Sequence, residues 1–300
     1  MGGAVTTGEG RWLTAVVATL LLAPALAQEP WRFATDSRVV AFADVHGAYD
    51  SLVALLQATD VIDADLRWRA DAAHVVSLGD LVDRGPETRA VLDLMIRLQR
   101  EAAASGGRLH VVLGNHELMT ILGDWRYVAP ADYESFAADE TEAMRAASYA
   151  VFAADSGGDS ATARAQFEAT YPRGYFARQA AFATTGRYGS WLLSLPALVV
   201  VNDTVYAHGG LPPAVTQHGL ALNDRVQTTL ARYLALREDL VARGVLPALD
   251  RERDAEAAQS AAAGAERDEF LGLAGAPELG LDGPLWYRGS VYCKPMLEQP

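Results

Sequence analysis

Short apolar, β-branched runs recur along this chain, and each ends in a polar, glycine-flanked turn. Arg38 to Ala43 is the first, and its length and character predict a buried strand. It gives way to Asp44-Val45-His46-Gly47, after which Leu52, Leu55 and Leu56 recur at helical spacing. A second strand is predicted over His74 to Leu78, ending at Gly79-Asp80. Pro86 is expected to open a further helix carrying Val91, Leu92, Met95, Ile96 and Leu98, because the missing proline N–H costs nothing in a first turn. A third strand, Leu109 to Leu113, ends at Gly114-Asn115-His116-Glu117. This rhythm predicts an α/β layered core. It also puts polar turns at the C-terminal ends of strands, where open α/β sheets place ligands.

The pattern changes over residues 118–190, which are rich in Ala, aromatics and charges and poor in strand signals. They predict a mostly helical insertion covering one side of the site, with a loop over Asp155 to Ser160. Strands resume over Ala197 to Val201 and Val205 to Ala207, separated by the turn signal Asn202-Asp203. They end at His208-Gly209-Gly210. Leu222, Val226, Leu230, Leu234 and Val241 share one helical face, predicting an amphipathic helix over 222–241. The Ala-, Gly- and acid-rich residues 250–283 read as a mobile connection, and no internal repeat is visible.

Composition narrows the class. Of 300 residues, 50% are hydrophobic and 21% charged, which excludes collagen-like, coiled-coil and wholly disordered chains. Acids outnumber Lys and Arg by 38 to 25, for a net charge of −13. That argues against nucleic acid as the main partner, since phosphate-backbone binders carry a basic footprint. Cys293 is the single cysteine, so neither an intrachain disulfide nor a thiolate-rich metal site is available. Near the start, Arg11 leads into an apolar stretch from Trp12 to Leu22, followed by Ala25-Leu26-Ala27 and polar Gln28-Glu29. This is the layout of a secretory signal peptide, 1–27, with an uncleaved anchor as the competing reading. The apolar stretch is shorter than the ~20 residues of a bilayer span. The expectation is an exported, periplasmic or secreted protein of residues 28–300, with no membrane association after cleavage.

The chemistry gathers at the strand ends. Asp44, His46, Asp80, Asn115 and His208 supply carboxylate, imidazole and amide oxygen, a donor set that suits manganese, iron or zinc. A carboxylate between two such groups can bridge two cations. Two metals roughly 3.5–4 Å apart can stabilise the attacking and leaving oxygens of a phosphoryl displacement. Taken singly, each motif is weak: Asp-x-His is common by chance, and a lone strand-end Asp is most often a helix cap. Together and in order, D-V-H-G, G-D-L-V-D-R-G, G-N-H-E and H-G-G are specific.

On these motifs the chain resembles the calcineurin-like metallophosphoesterases, within them the phosphoprotein phosphatase branch. G-D-W-R-Y, Y-P-R-G-Y, Y-G-S-W-L and G-P-L-W-Y-R-G resemble its bacterial Shewanella-like phosphatases, over roughly residues 36–293. The resemblance implies a layered β-sandwich flanked by helices. It implies Asp44 and His46 on a first metal, Asp80 as the bridge, and Asn115 and His208 on a second. His116 resembles the general acid, Asp83 its orienting carboxylate, and Arg84 and Arg288 the phosphate clamps. Planar bidentate donors suit a dianionic ester, and histidine suits proton donation near neutral pH. Glu117 is expected to hydrogen-bond a motif backbone, and His74, His110 and His218 are expected to stay outside the site. Trp125, Tyr127, Tyr133, Tyr171 and Tyr175 are expected to pack the insertion, with a substrate groove as the alternative.

The implied activity is hydrolysis of a phosphomonoester by metal-activated hydroxide, without a covalent phosphoenzyme. The implied substrate is a phosphoprotein, on Ser/Thr or Tyr, or a small phosphoester. Two alternatives stand: a nucleotide or dinucleotide polyphosphate hydrolase, or a phosphate-binding protein with an incomplete metal site. The resemblance also implies a late G-H motif supplying another ligand, yet His218 is the last histidine. The corresponding expectation is a sequence cut short, continuing naturally into a strand that ends in that histidine.

Overall fold

In the computed structural model, Met1 and residues 31–249, 254–261 and 264–289 are described. The expected signal peptide, Cys293 and any strand beyond Arg288 lie outside the described residues. Strands β2 (Val39–Phe42), β3 (His74–Ser77) and β4 (Arg108–Val111) form a parallel sheet in the order β2-β3-β4. Val39 pairs with His74, and His74 with Arg108. Parallel neighbours need crossovers, and helices α1 (Tyr49–Ala58) and α2 (Thr88–Ala104) supply them. All four residues of β3 are buried, which is why its sequence is an apolar run rather than an alternation.

A second sheet has the order β1-β5-β6, from β1 (Arg32–Phe33), β5 (Leu198–Val201) and β6 (Thr204–Ala207). β1 runs parallel to β5, and β5 and β6 form an antiparallel hairpin. Asn202 turns that hairpin at φ 57°, a backbone region asparagine tolerates, and its side chain clasps Thr35 N and O at 2.8 and 3.0 Å. Val76 and Val112 meet Val199 and Val201 between the sheets. The result is the expected sandwich. Its outer layers are α1 and α2 on one side and, on the other, α10 (Ala221–Ala242), where Asn223 bonds Ala197 N and Leu198 N and O.

Helix α3 (Asn115–Leu122) starts at the third motif itself, so residues 118–122 belong to the core rather than to the insertion. Beyond it come α4 (Pro130–Glu134), α5 (Glu142–Asp155), α6 (Ala161–Thr170), α7 (Tyr175–Ala181) and α8 (Arg187–Leu193). No strand interrupts this stretch. A short helix, α9 (Pro213–Thr216), follows β6.

Three expectations change, and one strand is new. Leu55 is exposed, because only Leu52 and Leu56 face the core. Pro86 precedes α2 by two residues rather than opening it. The two-residue β1 has no sequence signal of its own. Residues 250–283 are not a featureless connection: α12 (Gly264–Ala274) packs on α10, and α11 (Asp254–Ala261) packs on α12. Phe270 stacks on Tyr233 at 5.1 Å, and Asp254 pairs with Arg237 at 2.6 Å. Alanine is the strongest helix former, so a segment with few apolar anchors still forms helices once those anchors find a partner.

Candidate metal centre and proton donor

The four motifs converge at one end of the sandwich because each strand hands its polar turn to the same edge. Sharp reversals are needed there, and the backbone shows them. His46, Asp80, Asp83 and Arg84 take φ of 47°, 53°, 67° and 64°. Each such residue costs on the order of 1–3 kcal/mol, and strain of this kind collects at functional sites. Gly79, at φ 90°, and Gly114 let the second and third turns touch: a Cβ on Gly114 would lie 2.2 Å from Asp80 Oδ1. Glu117 clamps both turns. Its carboxylate accepts from Asp80 N, Leu81 N and Gly114 N at 2.7–2.8 Å, the backbone role expected of it. Burial and the Asp80 charge push its carboxyl up to about 7, against the pull of those donors.

His46 Nδ1 donates to Val82 O at 3.0 Å, and His208 Nδ1 donates to Leu78 O at 2.8 Å. A carbonyl only accepts, so both neutral rings present the Nε2 lone pair inward. His46 Nε2 is buried with no hydrogen-bond partner, 3.5 Å from Asp80 Oδ2 and 3.8 Å from Asp44 Oδ2. His208 Nε2 is 3.5 Å from the same Asp80 oxygen and 2.9 Å from Asn115 Oδ1. Acceptors facing acceptors at these distances repel unless a cation lies between them. The donor set therefore fits metal, and Asp80 belongs to both of the ligand groups that come together, His46–Asp80–His116 and Asp44–Asp80–His208.

Asp44 lies near both His46, at 3.8 Å, and the Asp80–His208 group, and His116 stands beside His46 and Asp80. The nitrogens of His116 are engaged elsewhere, however. Nδ1 meets Asp83 Oδ2 at 2.8 Å, and Nε2 accepts from Arg84 Nη2 at 2.9 Å.

The sequence matches the calcineurin-like phosphoesterase family over residues 37–259, spanning all these turns up to the H-G-G motif. The chain belongs to that family.

This phosphoesterase is 31% identical over 207 residues to Shewanella-like protein phosphatase 2 of Arabidopsis thaliana, covering 65% of this chain and 52% of that protein. Bis(5'-nucleosyl)-tetraphosphatase, symmetrical, of Salmonella paratyphi A is 41% identical over 76 residues, 25% of this chain and 22% of that protein. The crystal structure of the cold-active protein tyrosine phosphatase of a psychrophilic Shewanella species superposes with a TM-score of 0.52. It has 26% identity and covers 87% of this chain and 60% of that one. The phosphoesterase thus spans about half the length of the plant relative.

Both expected clamps lie in the site, each with its guanidinium on a histidine. Arg84 rests on His116. Arg288 Nη2 donates to Asn115 Oδ1 at 3.2 Å and to His208 Nε2 at 3.1 Å. Its guanidinium supplies the positive charge among the acceptors that the sequence assigns to a second metal, so a cation there requires Arg288 to swing away. Burial alone would lower the His116 pKa. The hydrogen bond to Asp83 and the charges of Asp80 and Asp83 outweigh it, and the ring is held above its ordinary value.

The other histidines stay outside. His74 and His110 pack between the sheets and bond each other at 3.1 Å. His218 lies in the turn after α9. Of the aromatic group, Tyr171 is buried and Tyr133 stacks on Tyr175 in the insertion. Tyr127 is 47% exposed, with its ring 5.2 Å from that of His116, so the group divides between packing and the mouth of the site. Sequence reasoning passed over Asp132 and Arg178, both buried behind Asp83. An arginine set among Phe176, Ala177 and Phe182 was the available signal.

Proposed function

We propose that this phosphoesterase is a metal-dependent phosphomonoester hydrolase, with phosphorylated proteins as its substrate class. The observation that carries the reading is the join of two devices: His116, backed by Asp83 and touched by Arg84, stands beside the inward-facing acceptors of Asp44, His46, Asp80, Asn115 and His208. The names of the similar proteins, a Shewanella-like protein phosphatase and a protein tyrosine phosphatase, support the substrate class.

Cations held by those residues would supply positive charge to phosphoryl oxygens and acidify nearby water. The side chains divide the remaining work. Arg84 binds phosphate oxygens, and in turning toward them it releases His116 Nε2. Asp83 keeps the ring proton on Nδ1, so the second proton of the imidazolium sits on Nε2, aimed at the leaving oxygen. Arg288 holds a further phosphate oxygen once it leaves Asn115. Water attacks phosphorus in line with the departing alkoxide and gives up one proton to solvent, His116 protonates the alkoxide and takes a proton back from solvent, and ester plus water become alcohol plus hydrogen phosphate. Manganese is our choice of metal for assay, on the mixed carboxylate–imidazole–amide donor set.

A dinucleotide polyphosphate hydrolase is the second reading, favoured by the 41% identity to the tetraphosphatase; that match is confined to 76 residues. We also propose export, on the layout of residues 1–27. The deciding experiment compares kcat/KM for a phosphotyrosine peptide, a phosphoserine peptide and diadenosine tetraphosphate, with and without manganese. Metal-dependent turnover of a phosphopeptide supports the reading. Preference for the dinucleotide selects the second one, and phosphate binding without turnover of any substrate overturns both. Export is tested by the mature N-terminus: cleavage after Ala27 supports it.

A further inference from the structure

Arg178 is 0% exposed, yet it carries a permanent positive charge into the interior of the insertion. Burying an ion costs several kcal/mol unless it is paired and hydrogen-bonded. Its partners are only half satisfied. Nε donates to Asp132 Oδ2 at 2.9 Å, while Nη1 and Nη2 are buried without hydrogen-bond partners among the described residues. Arg–carboxylate pairs are frequently bidentate, with two parallel bonds, but Asp132 takes only one bond from this fork. Instead, Nη2 lies 3.9 Å from Asp83 Oδ1, the carboxylate oxygen that His116 does not use and that also lacks a hydrogen-bond partner. That is ion-pair distance, about 0.7 Å beyond the long end of the hydrogen-bond range.

The ring walls fix the guanidinium in this pose. Its carbon lies 4.9 Å from the Trp125 ring and 4.5 Å from that of Phe182. Three charges therefore alternate through the dry interior, Asp132, Arg178 and Asp83, and the row ends at His116. Asp83 itself sits at φ 67°, a strained backbone that persists only when its surroundings over-determine it.

We propose that Arg178 is a positioning residue for the proton donor: it reaches from the helical insertion to hold the free oxygen of Asp83, and Asp132 sets the guanidinium in place. The inference rests on the role proposed above for His116. Within that reading, the insertion is part of the acid machinery. With Oδ1 drawn toward Arg178, Oδ2 stays on His116 Nδ1, and the ring cannot rotate its Nε2 away from the leaving oxygen.

The test uses the full chain with Arg178→Met, Arg178→Lys and Asp132→Asn. A series of aryl phosphates from p-nitrophenyl to phenyl varies the need for protonation. Arg178→Met is expected to lower kcat for phenyl phosphate roughly tenfold or more, and for p-nitrophenyl phosphate by less than about threefold, with KM little changed. Arg178→Lys should recover part of the loss, because charge returns without the fork. Asp132→Asn should behave as a weaker Arg178→Met.

Long-range proton–nitrogen spectra of His116 provide a readout independent of turnover. The Nδ1 proton signal, sharp in the parent, should broaden or vanish in Arg178→Met and reappear in Arg178→Lys. Losses equal across the leaving-group series, with an unchanged His116 signal, would reduce Arg178 to a structural ion and overturn the proposal. If Arg178→Met does not fold, the Lys and Asn variants decide on the same two readouts. If the parent hydrolyses no phosphomonoester, the proposed function fails on its own. The His116 signal still judges the positioning, so the two failures are distinguishable.

Discussion

Acid should weaken this fold through a group remote from the metal cluster. His110 lies on β4 against Phe33, ring centroids 4.5 Å apart, with its Nε2 3.1 Å from His74 Nδ1. Burial, and then the charges of His74 and Arg108, push its pKa down to about 3. His74, facing the same neighbours, is lowered for the same reasons, burial first and Arg108 second. In the unfolded chain an imidazole titrates at about 6.5. The folded-state pKa is depressed, so at pH below about 6.5 the unfolded chain takes up a proton that the folded chain refuses. Stability is intact above that value and falls by about 1.4 kcal/mol per pH unit down to pH near 3. Between pH 7.5 and pH 5 the loss from His110 alone comes to about 2 kcal/mol. The assay is urea unfolding of the parent and of His110→Leu at pH 7.5, 6 and 5. Differences between the two cancel the other titrating groups, and His74 is lowered by burial and Arg108, of which the substitution leaves Arg108 in place. The Leu variant should gain about 2 kcal/mol on the parent over this interval. A gap that stays constant with pH would show that His110 titrates normally in the folded chain, and would refute the burial argument.

The remaining predictions concern the site. Asp80→Asn should fold normally yet lose more than about tenfold in metal-dependent rate, at least 1.4 kcal/mol of barrier, along with bound metal measured by elemental analysis; retention of either would remove Asp80 from the shared position. His116→Ala should slow phenyl phosphate by roughly a hundredfold or more and p-nitrophenyl phosphate far less, and equal losses would take the acid role from it. Gly114→Ala forces a methyl to within 2.2 Å of Asp80 Oδ1 and 2.5 Å of Asp80 N; about 1–3 kcal/mol of overpacking strain should appear as a lower thermal midpoint. Arg288→Ala should raise the affinity for a second cation, since the guanidinium no longer competes for Asn115 and His208, while KM for substrate rises; an unchanged titration of manganese would show that Arg288 does not guard that position.

Asp44, His46, Asp80, Asn115 and His208 were legible as candidates because the chemistry demands particular residue types in glycine-flanked turns, and such turns are local; Asp83, Arg84 and His116 were legible through the family motifs that hold them. The strands β2 to β6 were legible as short apolar runs, and β3 and β5 most plainly, because a strand buried at every residue leaves no polar alternation. So was the helical character of the insertion, where strand signals are weak.

What the chain could not reveal by itself depends on contacts distant in sequence. The two residues of β1 become a strand only because β5 offers an edge, and Asn202 clasps Thr35 across 167 positions. The Ala-rich residues after 253 resemble a linker until Tyr233 and Arg237 supply partners for Phe270 and Asp254. The resemblance names Arg84 and Arg288 as phosphate clamps, but only packing shows that each is folded onto the acceptors of the site. Asp132 and Arg178 are 46 residues apart and carry no motif. Their meaning arises when the insertion closes over Asp83, because a buried charge is defined by what surrounds it. Local pattern sets which groups are offered, and burial and direction in the folded chain decide which of them can act together.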